Sequence, residues 1–214
     1  TGGALLWSFA TQDVVVSSPA VHRGRVYIGG RDGLTYCLDA RTGEVLWQAS
    51  LGGHILSSPA VDDLRVYIAV GFPSDRFVAL DRLTGAVAWS VPAGQTTSAS
   101  PALGGGRLYV ASDSGALLAL DPATGGELWR HSTKGSPYLS SPMFQGSTVY
   151  LAAGGNDLSL YAHTAANGIH AWVTPCSAPG DPGSALAFTC PEQPGQTTRM
   201  RIGTDHKVSS AAYV

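Results

Sequence analysis

The chain has 214 residues, of which 44% are hydrophobic and 13% are charged, and its formal net charge is −2. This length is enough for a sizeable core, and the sequence has no basic patch of the kind that nucleic-acid-binding domains carry. No apolar stretch approaches the roughly 18 residues that a membrane span needs, and the sequence contains no signal peptide. We therefore expect no nucleic-acid partner and no membrane span in this segment.

Tryptophan recurs along the chain at intervals of 40, 42, 40 and 43 residues. The five residues are Trp7, Trp47, Trp89, Trp129 and Trp172. A fixed period of this size is the signature of a repeat architecture. In three copies the preceding residues read Leu-Asp-x-x-Thr-Gly-x-x-x-Trp, starting at Leu38, Leu80 and Leu120. Residues 162–172 form a degraded fourth copy, in which the expected alignment has one extra residue and His163 in place of the aspartate.

The Asp-x-x-Thr-Gly corner has a physical reason. The aspartate accepts hydrogen bonds from backbone N–H groups of the turn, and the glycine adopts the left-handed conformation that closes it. We therefore assign structural roles to the five tryptophans and to the corner residues. These corner residues are Asp39, Asp81, Asp121, Gly43, Gly85 and Gly125.

Each repeat also contains a Ser-Ser-Pro-Ala-type run, followed by an apolar run with a central tyrosine, as in 25–28 and 65–68. Short runs of Val, Ile, Leu, Tyr and Trp between Gly, Asp, Ser and Pro are typical of an all-β protein, and no window shows a helical period. Four strands in a repeat of roughly 40 residues predict a β-propeller of four-stranded blades. The Ser-Ser-Pro-Ala run is predicted as the innermost strand and the tryptophan run as the outermost.

The repeats predict a single propeller segment with four complete blades, at about 14–51, 52–92, 95–132 and 137–174. Residues 1–10 and 207–214 resemble the last and first strands of a blade, and together they would form a split partial blade. Because an incomplete blade leaves unpaired strand edges, we expect the polypeptide to continue on both sides, to roughly seven or eight blades.

Residues 173–206 interrupt the repeat, and we interpret them as a long surface loop inserted after the fourth blade. The insert contains Cys176 and Cys190, which are candidates for a disulfide in an oxidising compartment; two free thiols are the alternative. Cys37 lies in an apolar run and is predicted to be a buried core thiol.

These motifs resemble the repeat of the pyrroloquinoline quinone (PQQ) propeller superfamily, whose tryptophan-docking motif reads Ala-x-Asp-x-x-x-Gly-x-x-x-Trp. The resemblance is strongest at 79–89 and 119–129, and it covers nearly the whole chain except the insert. It implies tryptophans that dock between blades, and eight blades in the quinoprotein dehydrogenases of the superfamily. Other members bind no quinone, such as the lipoprotein of the outer-membrane barrel-assembly machinery, and the chain is closest in style to these.

The resemblance to the dehydrogenases implies a disulfide between adjacent cysteines, a calcium or lanthanide ion held by Glu, Asn and Asp, and a catalytic Asp. The chain has no Cys-Cys pair, and its asparagines, Asn156 and Asn167, lie in turn contexts. No hydrolase elbow, zinc pattern or phosphate-binding loop is present. We predict no catalytic residue, no metal site and no cofactor; PQQ with calcium is expected only if the chain is part of such a dehydrogenase. His163 and His170 flank one corner and are interpreted as surface histidines; a close approach of the two side chains is the alternative.

The turn that precedes each inner strand differs from repeat to repeat, and in a propeller these turns gather around one mouth of the channel. Polar groups that converge on a concavity are the default hypothesis for a binding site; an ordinary solvated rim is the alternative. The candidate binding residues are Asp13, His54, Gln95, Tyr138, Asp205, His206 and Lys207. Neighbouring turns on the same face contribute Arg31, Asp32, Asp75, Arg76, Asp113 and Asp157.

The leading hypothesis from the sequence is a non-catalytic bacterial scaffold, periplasmic or otherwise extracytoplasmic, that binds a protein or a small ligand through this face. The first alternative is a segment of a PQQ-dependent alcohol dehydrogenase. The second alternative is an extracytoplasmic sensor domain.

Overall fold

The computed structural model describes residues 3–95, 97–133, 140–154 and 159–175, and the backbone of two further strands at 186–189 and 197–200. The regular elements in this part of the chain are β-strands. They form four four-stranded antiparallel sheets and one two-stranded sheet. This all-β arrangement confirms the propeller predicted from the repeat.

Blades 1 and 2 are formed by residues 20–92. Blade 1 consists of β1 (Ala20–His22), β2 (Arg25–Gly29), β3 (Leu34–Asp39) and β4 (Val45–Ser50). Blade 2 consists of β5 (Ala60–Val61), β6 (Arg65–Val70), β7 (Arg76–Asp81) and β8 (Val87–Pro92).

Blades 3 and 4 follow the same plan. Blade 3 consists of β9 (Ala102–Gly104), β10 (Arg107–Ser112), β11 (Ala116–Leu120) and β12 (Glu127–Ser132). Blade 4 consists of β13 (Met143–Gln145), β14 (Thr148–Ala153), β15 (Ser159–Thr164) and β16 (His170–Pro175). Within the segment predicted as an insert loop, β17 (Leu186–Thr189) and β18 (Thr197–Met200) form an antiparallel pair.

In every blade the strands lie side by side in chain order, so each blade is a series of antiparallel hairpins. The short first strands β1, β5, β9 and β13 contact one another in succession, as the inner strands of neighbouring blades do. The tryptophan strand lies at the opposite edge of each sheet. Trp47 pairs with Cys37, and Trp89 pairs with Ala79 in the same register, with a bulge next to each pair.

The hydrophobic core lies between successive blades. One cluster joins Tyr67 and Trp89 of blade 2 to Leu108 and Leu120 of blade 3. Equivalent clusters connect blade 1 with blade 2 and blade 3 with blade 4. Since neighbouring blades cover both faces of the middle strands, these strands are nearly continuous apolar runs, as in β11, where every residue is buried.

Residues 3–10 form no strand, although the sequence predicts an outer strand here. Trp7 and Phe9 instead pack against blade 1, where Phe9 lies edge-on to Tyr36 at 5.1 Å between ring centroids. The expected partner segment, 207–214, lies outside the described residues, so the split blade stays a prediction.

The cysteine predictions have different outcomes. Cys37 is a fully buried free thiol, and burial raises its pKa above the ordinary value. Cys176 and Cys190 lie outside the described residues, and their disulfide stays a prediction.

The expected alignment of residues 162–172 is wrong by one position. His163 pairs with His170 at the bulge of blade 4, where Leu38 pairs with Val45 in blade 1. His163 therefore occupies the place of the buried leucine that begins the corner motif, and it does not replace the aspartate. It is fully buried, so its interpretation as a surface histidine is also wrong.

Thr164 is the residue that stands where the other corners have aspartate. Its N–H donates to the carbonyl of Ile169 and its own carbonyl accepts from Gly168 N–H, both at 2.8 Å, as in the other three corners. The Thr164 hydroxyl and the Asn167 amide oxygen lie 2.8 Å apart and replace the Asp and Thr side chains of the motif. The corner therefore has the same number of residues as the other three. A different pair of polar side chains closes the same turn.

Candidate binding face

Four tryptophans dock on the following corner through the indole N–H. Trp47 donates to the carbonyl of Arg82 at 3.1 Å, and Trp89 donates to the carbonyl of Pro122 at 2.9 Å. Trp7 and Trp129 make the same bond, each at 3.0 Å, to the carbonyls of Ala40 and Ala165. For Trp172, the structure describes contacts within blade 4 alone. Its ring centroid lies 6.1 Å from that of Tyr150.

The indole rings cover the corner glycines. A Cβ on Gly125 would lie 2.8 Å from the ring of Trp89, and one on Gly85 would lie 2.7 Å from the ring of Trp47. Both glycines have a φ of +75°, a conformation that side chains with a Cβ rarely adopt. Glycine is therefore required here by the turn and by the docked ring together.

The corner aspartates bind the backbone of their own turn. The carboxylate of Asp81 accepts from Thr84 N–H and from the Thr84 hydroxyl, both at 2.8 Å. The Thr84 hydroxyl and backbone bonds hold the pKa of Asp81 below its ordinary value. Backbone bonds from Thr42 and its neighbour lower the pKa of Asp39 in the same way. Asp121 also accepts a backbone bond, at 2.7 Å.

Serine side chains connect the inner strands of successive blades. Ser18 N–H donates to Ser58 Oγ at 2.8 Å, Ser58 N–H donates to Ser100 Oγ at 2.8 Å, and Ser100 N–H donates to Ser141 Oγ at 2.9 Å. The repeated Ser-Ser-Pro-Ala run thus supplies a hydrogen bond at each inner junction, which explains why its second serine recurs.

The loops that precede the inner strands lie against the turns between the second and third strands. Gln12 N–H donates to the Asp32 carboxylate at 3.1 Å, and His54 Nδ1 lies 2.7 Å from the carbonyl of Arg31. His54 N–H also donates to the carbonyl of Phe72 in blade 2, so this loop contacts the turns of blades 1 and 2. We call this side of the propeller the loop face. It comprises the loops 11–19, 51–59, 93–95 and 97–101 and the turns 30–33, 71–75 and 113–115.

Three of the predicted binding residues lie on the loop face. Asp13 accepts a hydrogen bond from Val14 N–H, His54 contacts Arg31, and Gln95 is exposed. Within the described residues, no hydrogen bond or ion pair joins Asp13, His54 and Gln95 to one another. The other candidates lie outside the described residues: Tyr138, Asp205, His206 and Lys207.

The turn 71–75 of blade 2 has one residue more than 30–33 of blade 1 and two more than 113–115 of blade 3. Phe72 in this turn is 65% exposed. Asp75 has a φ of +44°, and the buried atoms Asp75 Oδ1 and Arg76 Nε have no hydrogen-bond partner in the described structure. The sequence interpretation named Asp75 and Arg76 but missed Phe72; the extra turn length is the signal that could have found it.

Two carboxylates from neighbouring blades lie within electrostatic reach on the loop face. Burial raises the pKa of the Asp113 carboxyl, and the negative charge of Asp75 raises it further. The two carboxylates therefore repel each other when both are ionised. A group that carries positive charge or donates hydrogen bonds would relieve this repulsion.

The described residues do not fit the calcium–quinone site that the resemblance to dehydrogenases implies. No group of three or more His, Cys, Asp or Glu side chains among them is arranged to hold a metal ion. The chain also has no adjacent cysteines. In addition, no helix in the described ranges has the length and apolar character to cross a membrane.

A family model described as outer membrane protein assembly factor BamB matches residues 1–95 and residues 73–188. The chain belongs to this family. Its PQQ-like repeat and its propeller fold are those expected from the tryptophan motif. No significant match is found among curated protein sequences.

Solved structures of different kinds resemble the chain. BamB from Moraxella catarrhalis has a TM-score of 0.67 and 18% identity, over 97% of this chain and 67% of that one. Quinohemoprotein alcohol dehydrogenase ADHIIG from Pseudomonas putida HK5 has a TM-score of 0.70 and 20% identity, over 95% of this chain and 42% of that one. The computationally designed Ika8 protein has a TM-score of 0.67 and 16% identity, over 92% of this chain and 57% of that one.

This chain thus spans less than half of the length of the dehydrogenase that it resembles. At these identities the likeness shows the fold alone. Since an assembly factor, an enzyme and a designed protein share it, the fold does not select an activity.

Proposed function

We propose that this chain is a non-catalytic propeller module that binds a partner protein through its loop face. The observation that carries the proposal is the turn 71–75, where an exposed phenylalanine stands beside buried polar atoms that lack partners in the described structure. Aromatic side chains next to groups that can form hydrogen bonds are typical of the energetic centres of protein interfaces.

The charge around Phe72 indicates what the partner surface offers. Asp75 and Asp113 bring negative charge to the turns of blades 2 and 3, and Phe72 supplies apolar area. A complementary partner presents an apolar patch bordered by Lys, Arg or backbone N–H groups. The projecting, largely exposed ring suits a protein surface better than a small molecule, which favours concave sites.

The family description supports an extracytoplasmic location, because it names an outer membrane protein assembly factor. By analogy, we propose that this chain acts in the periplasm as a scaffold in protein assembly at the outer membrane.

Site-specific photo-crosslinking tests the binding face. A photoreactive phenylalanine analogue in place of Phe72, in the host cell, is expected to give a discrete crosslinked species with one protein. The matched control carries the same analogue at Leu64, which is 71% exposed and lies at the opposite end of blade 2. Asp75→Arg is expected to weaken the Phe72 crosslink, because it reverses the charge that the partner faces. Equal crosslinking from both positions, or none from Phe72, would contradict the proposal.

The second candidate function is a segment of a quinone-dependent alcohol dehydrogenase, because two of the similar structures are quinohemoprotein alcohol dehydrogenases. The purified protein, incubated with PQQ and calcium and then desalted, is expected to retain no quinone absorbance and to show no dye-linked alcohol oxidation. Retained absorbance or oxidation would favour the dehydrogenase and overturn the non-catalytic proposal.

A further inference from the structure

Three of the six histidines of the chain meet at the outer part of the junction between blades 3 and 4. His131 belongs to β12 of blade 3, and His163 and His170 belong to β15 and β16 of blade 4. The ring centroids lie 4.1 Å apart for His131 and His163, 5.4 Å apart for His163 and His170, and 5.9 Å apart for His131 and His170. We call this group the histidine cluster.

The repeat shows what normally occupies these positions. His163 stands where the other blades have the buried residues Leu38, Leu80 and Leu120, in the same register beside the bulge. His170 is its cross-strand partner, where blade 2 has Val87. The usual occupants of the central position are thus apolar, and blade 4 replaces its leucine with an ionisable ring.

The facing position on the preceding blade differs in the same way. His131 follows Trp129 by two residues, as Ala49 follows Trp47 and Val91 follows Trp89. Ala49 and Val91 pack against the clusters that contain Leu80 and Leu120. The apolar contact of the first two junctions is therefore a contact between two histidines at the third.

The buried member of the cluster is His163. His163 is 0% exposed, and neither its Nδ1 nor its Nε2 forms a hydrogen bond in the described structure. A protonated ring there would carry a buried charge without compensation. Burial lowers the pKa of His163 to about 4, and the charges of His131 and His170 contribute to this shift. An interaction with the Gly168 backbone acts in the opposite direction. Burial also lowers the pKa of His131, and the charge of His170 lowers it further.

The surroundings of the cluster supply little negative charge. From β12, Glu127 and Arg130 form an exposed ion pair with each other at 2.7 Å. From β15, Tyr161 stacks on His163 with ring centroids 6.0 Å apart. No carboxylate is among the groups that shift the pKa of His163 or of His131. Protonation of the cluster therefore meets mutual repulsion without a described counter-charge.

We propose that the histidine cluster makes the junction between blades 3 and 4 acid-sensitive, so that protonation of its rings in mild acid weakens the packing of blade 4 on blade 3. The direction follows from proton linkage. The unfolded or opened chain, with a histidine pKa near the ordinary 6.5, binds protons that the closed junction excludes until about pH 4. The stabilisation by the closed junction is fully present above pH 6.5, and it is lost progressively as the pH falls toward 4.

Urea denaturation across pH tests the proposal. From His163 alone, the unfolding equilibrium constant is expected to rise roughly 30-fold between about pH 8 and about pH 5. His163→Leu restores the residue of the other blades. Between the same two pH values, the unfolding equilibrium constant of this variant is expected to rise roughly 30-fold less than that of the wild type. Leu80→Val, at the equivalent buried position of blade 2, is the matched control. It changes the core without adding or removing an ionisable group, and it is expected to keep the pH dependence of the wild type.

A second measurement keeps the proposal testable if His163→Leu does not fold. Side-chain NMR titration of the folded wild type is expected to show one histidine that stays neutral down to about pH 5, whose titration shifts upward in His131→Val because a neighbouring charge is removed. A His163 that titrates at its ordinary pKa in the folded protein would overturn the proposal. A His163→Leu variant with the pH dependence of the wild type would overturn it as well.

Discussion

At the scale of the residue, two glycines with one backbone conformation have different surroundings. Gly125 and Gly94 have φ values of +75° and +82°. The ring of Trp89 covers Gly125, whereas among the described residues no atom beyond the chain neighbours lies within 4 Å of the position of a Cβ on Gly94. A comparison of the two therefore separates the requirement of the turn from the requirement of tryptophan docking.

Alanine at these glycines is expected to be destabilising to different extents. Gly94→Ala is expected to lower the free energy of unfolding by about 1–2 kcal/mol, the cost of the left-handed conformation. Gly125→Ala is expected to lower it by a further ~1–3 kcal/mol, because the new Cβ overpacks against Trp89. Urea denaturation of the two variants measures the difference. Equal losses would show that the docked ring adapts at no cost.

The sequence allowed the residue roles to be predicted where one residue type serves one local turn. Asp81 and Gly85 close their turn with contacts between residues at most five positions apart, so the motif alone indicates their roles. The role of His163 could not be predicted in this way. Its burial follows from the register of β15 against β16 and from the contact with His131 of another blade, neither of which a local motif specifies.

At the scale of the element, the inner strands are held together by side chains as well as by packing. These strands have only two or three residues each, so they form few ladder bonds. The serine bonds from Ser18 through Ser58 and Ser100 to Ser141 add one connection per junction. The small serine side chain is suited to this position, since it accepts the bond close to its own backbone.

Ser100→Ala is expected to lower the free energy of unfolding by about 1 kcal/mol, because Ser58 N–H loses its acceptor. Faster hydrogen exchange at the Ser58 amide should accompany this loss. Ser90→Ala, on the exposed side of an outer strand, is the matched control and is expected to change stability by less than about 0.5 kcal/mol. An unchanged exchange rate at Ser58 would show that the side-chain bond contributes nothing.

The strands could be predicted from the sequence better than the turns could. Each strand repeats the apolar pattern that two covering blades require, whereas the turn 71–75 has one residue more than 30–33 and two more than 113–115. Its length and the exposure of Phe72 are visible only once β6 and β7 are placed. The sequence therefore indicated which turns share the loop face, but it did not indicate the exposed ring of Phe72.

At the scale of the whole molecule, the blades are linked in series, and each core cluster is shared by two neighbours. In such an array the stability is approximately a sum of terms for units and for neighbouring interfaces. Trp47 serves the junction of blades 1 and 2, and Trp129 serves that of blades 3 and 4. Substitutions in the two junctions are therefore expected to act independently.

Trp47→Phe and Trp129→Phe are each expected to lower the free energy of unfolding by about 1 kcal/mol through the lost hydrogen bond. Their effects should add to within ~0.5 kcal/mol in the double variant.

Trp89→Phe with Tyr67→Phe is the contrasting pair, because both side chains donate to the carbonyl of Pro122. Their coupling is expected to exceed ~0.5 kcal/mol. Denaturation of the six variants measures both couplings, and strong coupling between Trp47 and Trp129 would contradict independent junctions.

The docking tryptophans bind main-chain oxygens only, and this leaves the neighbouring side chain unconstrained. The four acceptors are the carbonyls of Ala40, Arg82, Pro122 and Ala165, which include a small, a charged and a cyclic residue. The docking bond consequently places no requirement on the side chain at the acceptor position. A duplicated blade would keep this bond with any neighbour that presents the same turn, whereas the core side chains shared across each junction must still match.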